Sequence, residues 1–228
     1  LHGGTHVLHV LFPRTLLVTR PHPDRRLPRI AVDLTTRHIP GVRDFLEAEH
    51  DWYAMVEFSL PPSGQAQREL VEEFLMEALE QGVVIDAALA QSEADRQAMW
   101  RMRESIPEAQ RHEGVSVKHD VSVPLSSVPG LIAEAGAAVR DLVPGVRLVA
   151  YGHIGDGNLH FNVLAPGSTD GVAWRETYGS AVTEAVLALA ERYGGSFSAE
   201  HGIGSLKVNE LARYRPEEVA LMRSLKAT

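Results

Sequence analysis

The stretch Arg147-Leu-Val-Ala-Tyr-Gly-His-Ile-Gly-Asp-Gly-Asn-Leu-His-Phe-Asn-Val-Leu164 reads as two strands joined by a glycine-shaped reversal. Arg147 to His153 and Leu159 to Leu164 are strand-like in composition, and Gly155-Asp-Gly-Asn158 tolerates positive φ, so a tight hairpin is expected. If Ile154 pairs with Leu159, His153 lies opposite His160, and cross-strand partners project from one face of a sheet. Asn162 joins that face. Two imidazoles about 5 Å apart at Cβ suit a divalent ion of the zinc type, with a carboxylate as third ligand and one position left open.

A second segment, Ser196-Phe-Ser-Ala-Glu-His-Gly-Ile-Gly204, offers that carboxylate. Its glycines break the chain after Glu200 and His201, so the two side chains diverge: Glu200 can face a metal while His201 serves as a base toward substrate. Residue types and spacing alone leave plainer readings open. The histidines can be hydrogen-bonded residues of an ordinary hairpin, Asp156 can bond its own backbone, and Glu200-His201 can begin a helix.

Working outward, Pro28 to Ile39 has the pattern of a short amphipathic helix, and Trp52 to Leu60 alternates as a strand. Gln65 to Gln81 carries Leu70, Phe74, Leu75, Ala78 and Leu79 at helical spacing with Gly82 as its C-cap, and Val83-Val-Ile85 reads as a buried strand. Ser92, with Asp95 three residues on, caps a helix through Met99, Trp100 and Met102 that reaches about Arg111 unless Pro107 interrupts it. Val115 to Val123 alternates around Lys118 and Asp120. Helices follow over Leu125 to Leu142, Val172 to Tyr193, Gly204 to Tyr214 and Pro216 to Lys226. This order predicts an α+β fold, a largely antiparallel, ferredoxin-like sheet covered by helices on one face. Residues 1–26 are basic and proline-punctuated, an unassigned arm or linker expected to pack loosely, and residues 27–228 form one domain.

Composition narrows the chemistry. The chain has 228 residues and no cysteine, so any metal site must use His and carboxylate, and cysteine nucleophiles are excluded. A formal charge of -8 with no basic stripe argues against a nucleic-acid partner. No apolar run approaches the ~20 residues that span a bilayer, so no transmembrane segment and a cytoplasmic location are expected. No Gly-x-Gly-x-x-Gly follows a strand, so no Rossmann nucleotide site is expected.

Taken together, Gly152-His-Ile-Gly-Asp-Gly-Asn-Leu-His160, Ser198-Ala-Glu-His-Gly-Ile-Gly204 and Arg103-Glu-Ser-Ile-Pro-Glu108 resemble the C-terminal cap, or substrate, domain of FAD-linked 2-hydroxyacid dehydrogenases. These are the D-2-hydroxyglutarate, D-lactate and glycolate dehydrogenases of the vanillyl-alcohol-oxidase superfamily. The resemblance covers most of residues 27–228. It implies FAD and a divalent metal of the zinc type as cofactors. Position by position, it implies His153, His160 and Glu200 as metal ligands, His201 as catalytic base, and Asn162, Arg103 and Lys118 as substrate-binding residues. A planar guanidinium and an ammonium suit an anionic acid. The implied partners are a small 2-hydroxy acid and an electron acceptor, and a homodimer is allowed for.

Two departures qualify these expectations. Pro107 stands where the D-2-hydroxyglutarate enzymes carry a substrate-touching Thr, which leaves D-lactate, glycolate or another D-2-hydroxy acid open. The flavin-binding half and the family's final Asp-Pro-x-Gly-x-Leu-Asn-Pro stretch find no counterpart, so the chain reads as a fragment that does not hold FAD tightly or turn over alone. Rival readings are a free-standing metal-dependent hydrolase or lyase built on the same residues, and a non-catalytic ferredoxin-like ligand-binding module whose glycines only shape turns.

Overall fold

A computed structural model describes residues 15–19, 27–57, 64–167 and 169–227. Its elements run β1 (Thr15–Thr19), β2 (Leu27–Pro28), α1 (Arg29–His38), β3 (Trp52–Glu57), α2 (Gly64–Glu80), β4 (Asp86–Leu89), α3 (Glu93–Glu104) and α4 (Ile106–His112). They continue with β5 (Ser116–Ser122), α5 (Val128–Leu142), β6 (Arg147–Tyr151), β7 (Asn158–Leu164), α6 (Gly171–Arg192), α7 (Val208–Tyr214) and α8 (Pro216–Ala227). The fold is α+β, and among the described residues every strand pairing is antiparallel, in line with the largely antiparallel sheet expected from the element order. The strands divide into a four-stranded sheet of order β2-β3-β1-β4 and a three-stranded sheet of order β5-β7-β6.

The smaller sheet carries the site, and its alternation sorts the chemistry. Val121, Leu159, Phe161, Val163 and Ala150 pack with Leu131, Ala135 and Val139 of α5 and Val182, Val186 and Ala190 of α6. Phe161 is fully buried there; enclosing such a side chain stabilises the fold by roughly 2–3 kcal/mol. Residues of opposite parity face the other way, where Val149, Tyr151 and Leu164 meet Ala31, Val32 and Leu34 of α1 and Met102, Ile106 and Ala109 of α3 and α4. Helices therefore lie on both sides of this sheet, and the second side is shared between apolar packing and polar residues.

Several expectations change. Thr15–Thr19, within the stretch read as an arm, is a strand between β3 and β4. The apolar run Leu16-Leu-Val18 is short enough to be a strand bounded by breakers, and both neighbouring strands offer it free ladder groups. The rest of residues 1–26 lies outside the described residues. Val83-Val-Ile85 is not a strand, because the end of α2 uses its backbone. The N–H groups of Val83 and Val84 bond Ala78 O at 2.9 and 3.0 Å around Gly82 at φ +64°, the helix-terminating loop that a left-handed glycine allows. Pairing begins three residues later at Asp86, and Val83 and Ile85 stay exposed. Leu70 and Phe74 also lie on the outer side of α2, while Val71, Leu75 and Ala78 are buried. The Ser92 cap forms as expected, accepting from Asp95 N–H, and the helix breaks at Ser105 so that Pro107 sits in the first turn of α4.

The connection between β6 and β7 is longer than the sequence suggests. Tyr151, rather than His153, stands opposite His160. Gly152 explains the offset: a Cβ there would lie 2.0 Å from Asn158 O, so the chain crosses itself before it can pair. A 3-10 turn over Ile154–Asp156 follows, and Asp156 Oδ1 accepts the Asn158 N–H at 3.0 Å. The register is displaced by two residues, and an even displacement keeps every side chain on its expected face. His160 and Asn162 thus share a side, and His153 reaches the same place from the loop.

Candidate functional site

Register builds the site in rows across the three strands. Lys118, Asn162 and Val149 form one row, and Asp120, His160 and Tyr151 form the next. The segment 196–201 then folds along β5. Ser122 and Ser196 exchange backbone hydrogen bonds, and Ala199 N–H donates to Asp120 O at 3.2 Å. Glu200 is thereby carried over the row that holds His160.

The three expected metal ligands meet at one carboxylate. His153 Nδ1 lies 2.5 Å from Glu200 Oε1, and His160 Nε2 lies 3.6 Å from Glu200 Oε2. The two imidazole rings are edge-on, with centroids 6.0 Å apart. His160 is largely enclosed, and His153 and Glu200 are open to solvent on one side, with side-chain exposures of 53% and 38%. This is an accessible mouth over a buried floor. Two imidazoles and a carboxylate are the donor set a zinc-type ion takes while keeping an open position. The residues fit such an ion once the His153–Glu200 contact lengthens by about 1 Å to the spacing of ligands bound at ~2.1 Å.

Charge is balanced closely around this point. Burial lowers the pKa of His160, and Glu200 and Asp120 act against that shift while Arg103 and His153 add to it. Burial opposes the charge on Asp120 as well. The His201 N–H, the Asn158 amide and the Glu200 N–H nevertheless hold its carboxyl below the ordinary value. On α3, Arg103 sets its guanidinium 4.8 Å from the centroid of the Tyr151 ring. Burial lowers its pKa, with the nearby Tyr151 and Glu200 opposing.

The remaining expected residues divide. Asn162 is buried on the correct face and donates Nδ2–H to Gln110 Oε1 of α4 at 3.0 Å. Lys118 shares its row at the open edge, where burial and Arg111 lower the ammonium pKa. His201 is different. Its backbone is fixed, but its ring is exposed and makes no hydrogen bond or ion pair among the described residues. Asp120, Tyr151 and Gln110 are site residues that residue typing missed. Extending the period-two pattern from Lys118 reaches Asp120, and pairing His160 across the hairpin reaches Tyr151; no such signal marks Gln110.

Residues 18–228 match the family described as FAD linked oxidases, C-terminal domain. The chain belongs to this family. Within it, the chain is 34% identical over 197 residues to the mitochondrial D-2-hydroxyglutarate dehydrogenase of Arabidopsis thaliana, covering 86% of this chain and 34% of that protein. It is 39% identical over 178 residues to the D-2-hydroxyglutarate dehydrogenase of Xanthomonas citri pv. viticola, covering 78% of this chain and 37% of that protein. Against the enzyme of that name from Stutzerimonas stutzeri it is 36% identical over 184 residues, 79% of this chain and 38% of the other. The chain therefore spans little more than a third of the length of these relatives. No helix among the described residues is long and apolar enough to cross a membrane.

Proposed function

We propose that this chain is the substrate- and metal-binding cap domain of a flavin-dependent dehydrogenase that oxidises a D-2-hydroxy acid to the 2-oxo acid. The convergence of His153 and His160 on Glu200, within electrostatic reach of Arg103, is the observation that carries the reading. The relatives' names make D-2-hydroxyglutarate the first acid to test. When bound, a divalent ion supplies Lewis acidity that lowers the pKa of a hydroxyl, and FAD supplies the hydride acceptor.

The chain's own residues do the rest. His153, His160 and Glu200 would hold the ion. Arg103, backed by the Tyr151 ring, and Lys118 at the edge of the sheet bind the acid's carboxylates and orient its α-carbon. Asn162, fixed by Gln110, marks the polar floor. His201 takes the hydroxyl proton on a ring nitrogen as hydride leaves the α-carbon, and its exposed ring has the freedom to meet a substrate. Electrons then pass to an acceptor beyond this domain.

The test uses the longer protein that contains this chain. D-2-hydroxyglutarate should bleach its flavin absorbance, and His201→Asn should slow bleaching by about a hundredfold or more while the acid still binds. An unchanged bleaching rate in that variant would remove His201 as the base. A colourless protein that hydrolyses esters or amides would overturn the oxidative reading.

A further inference from the structure

We infer that Asp120 is the positioning residue that seats the Glu200–His201 turn against His160, acting as a hydrogen-bond acceptor and not as a metal ligand. In its chemistry this role rests on the metal reading proposed above; in its geometry it does not. Asp120 stands in the middle of β5, directly opposite His160, and is 7% exposed. Its Oδ2 accepts two consecutive backbone N–H groups, from Glu200 and from His201, each at 2.9 Å. Its Oδ1 accepts from Asn158 Nδ2 at 2.8 Å and lies 3.7 Å from His160 Nδ1. Even its backbone oxygen is engaged, by Ala199 N–H.

The ligand alternative is a real one, because Asp120, His160 and Glu200 offer donor atoms within 4.8 Å of one another. Lone-pair use decides against it. An ionised carboxylate has about four acceptor directions, three of them are taken by N–H donors, and the fourth faces His160 Nδ1. An ion held by Asp120 would either displace one of these donors, two of them the N–H groups that seat the turn, or wedge between Oδ1 and His160 Nδ1, away from the Nε2 that faces Glu200. Spending the carboxylate on the turn has the opposite effect. Residues 198–204 lie in neither helix nor strand, so two bonds to successive N–H groups fix where Glu200 points. The Nδ1 side of His160 is drawn toward Asp120, which leaves Nε2 turned to Glu200. At 3.7 Å this is an electrostatic approach and not a hydrogen bond, and it puts a carboxylate on the side of the ring away from Glu200, where carboxylates that orient metal-bound histidines stand.

Asparagine can replace this function. One amide oxygen can take both turn N–H groups, and its NH2 can then face Asn158, whose buried Oδ1 has no hydrogen-bond partner among the described residues. A half-turn of the Asn158 amide presents that oxygen. Asp120→Asn should therefore keep the turn seated, whereas Asp120→Ala should release it.

The experiment compares the chain, Asp120→Ala and Asp120→Asn by hydrogen exchange without metal and by calorimetric titration with ZnCl2, with the thermal midpoint followed alongside. In Asp120→Ala the Glu200 and His201 amides should exchange on the order of tenfold faster or more, and zinc affinity should fall about 10- to 100-fold. Asp120→Asn should stay within about threefold of the parent in both. Unchanged exchange in Asp120→Ala overturns the role. So does Asp120→Asn losing as much zinc affinity as Asp120→Ala with the turn still protected, since Asp120 would then be a ligand. If Asp120→Ala does not fold, Asp120→Asn alone decides between acceptor and ligand. A parent chain that binds no zinc but shows the predicted exchange pattern would sink the metal reading and leave the positioning role supported.

Discussion

Two histidines one strand apart show how differently the two faces of the β5-β7-β6 sheet are built. His119, on the α6 side, has both ring nitrogens engaged, Nδ1 with Phe161 O at 2.7 Å and Nε2 with Thr183 Oγ1 at 3.2 Å. Burial pushes its pKa down to about 4, so it is a neutral core residue. His160 faces two carboxylates, with Nε2 toward Glu200 and a partly open surround. Residue type and strand position are nearly the same. Parity along the strand, together with what packs above, turns one imidazole into packing and the other into a candidate ligand.

Variants can break this contrast, beginning where the largest effect is expected. Phe161→Ala empties the centre of the α5/α6 face and should destabilise the chain by about 3–5 kcal/mol in a denaturant titration. A loss below about 1 kcal/mol would mean that this face is not the main core. Acid should act on the same face through His119. Its folded-state pKa is depressed, so its contribution is present above the ordinary value of 6.5 and is lost as pH falls from there toward about 4. At ~1.4 kcal/mol per pH unit the loss approaches about 3 kcal/mol. His119→Gln should flatten that part of the stability-pH curve; an equally steep curve would assign the slope to other groups.

Changes to the partly exposed ligand residues on the opposite face should spare stability and affect metal binding. Glu200→Ala should lower zinc affinity on the order of a hundredfold, with a change in unfolding free energy below about 1 kcal/mol because the side chain is partly exposed. Unchanged affinity would show that Glu200 is not a ligand. The smallest effect is expected from Thr183→Val, which removes one partner of His119 and should cost about 1 kcal/mol with zinc affinity untouched. Coupling of that change to zinc binding would break the separation of the faces.

Much of this was legible in the residues, and the failures have physical causes. The α+β order, the capped α3 and the face shared by His160 and Asn162 follow from periodicities and from Ser92, Gly82 and the β7 alternation. The hairpin register does not, since it depends on Asn158 crossing over Gly152, a contact between chain segments that composition does not encode. β1 was hidden because Leu16-Leu-Val18 becomes a strand only between two partners distant in sequence. Val83 to Ile85 misled in the opposite direction, since β-branched residues were placed where a helix end consumes the backbone donors. Within the site, residues with recognisable metal or acid-binding chemistry stood out, whereas Asp120 and Gln110 act by holding others and are visible only in three dimensions.

The most direct measurement is the position of zinc itself. Crystals of the chain grown with zinc, with diffraction recorded across the zinc absorption edge, should show one anomalous peak bonded by His153, His160 and Glu200 at ~2.0–2.2 Å, with Asp120 still holding the Glu200 and His201 N–H groups. Zinc at another position, or His153 still paired with Glu200 and no ion between the histidines, would contradict the reading of this face as a metal site.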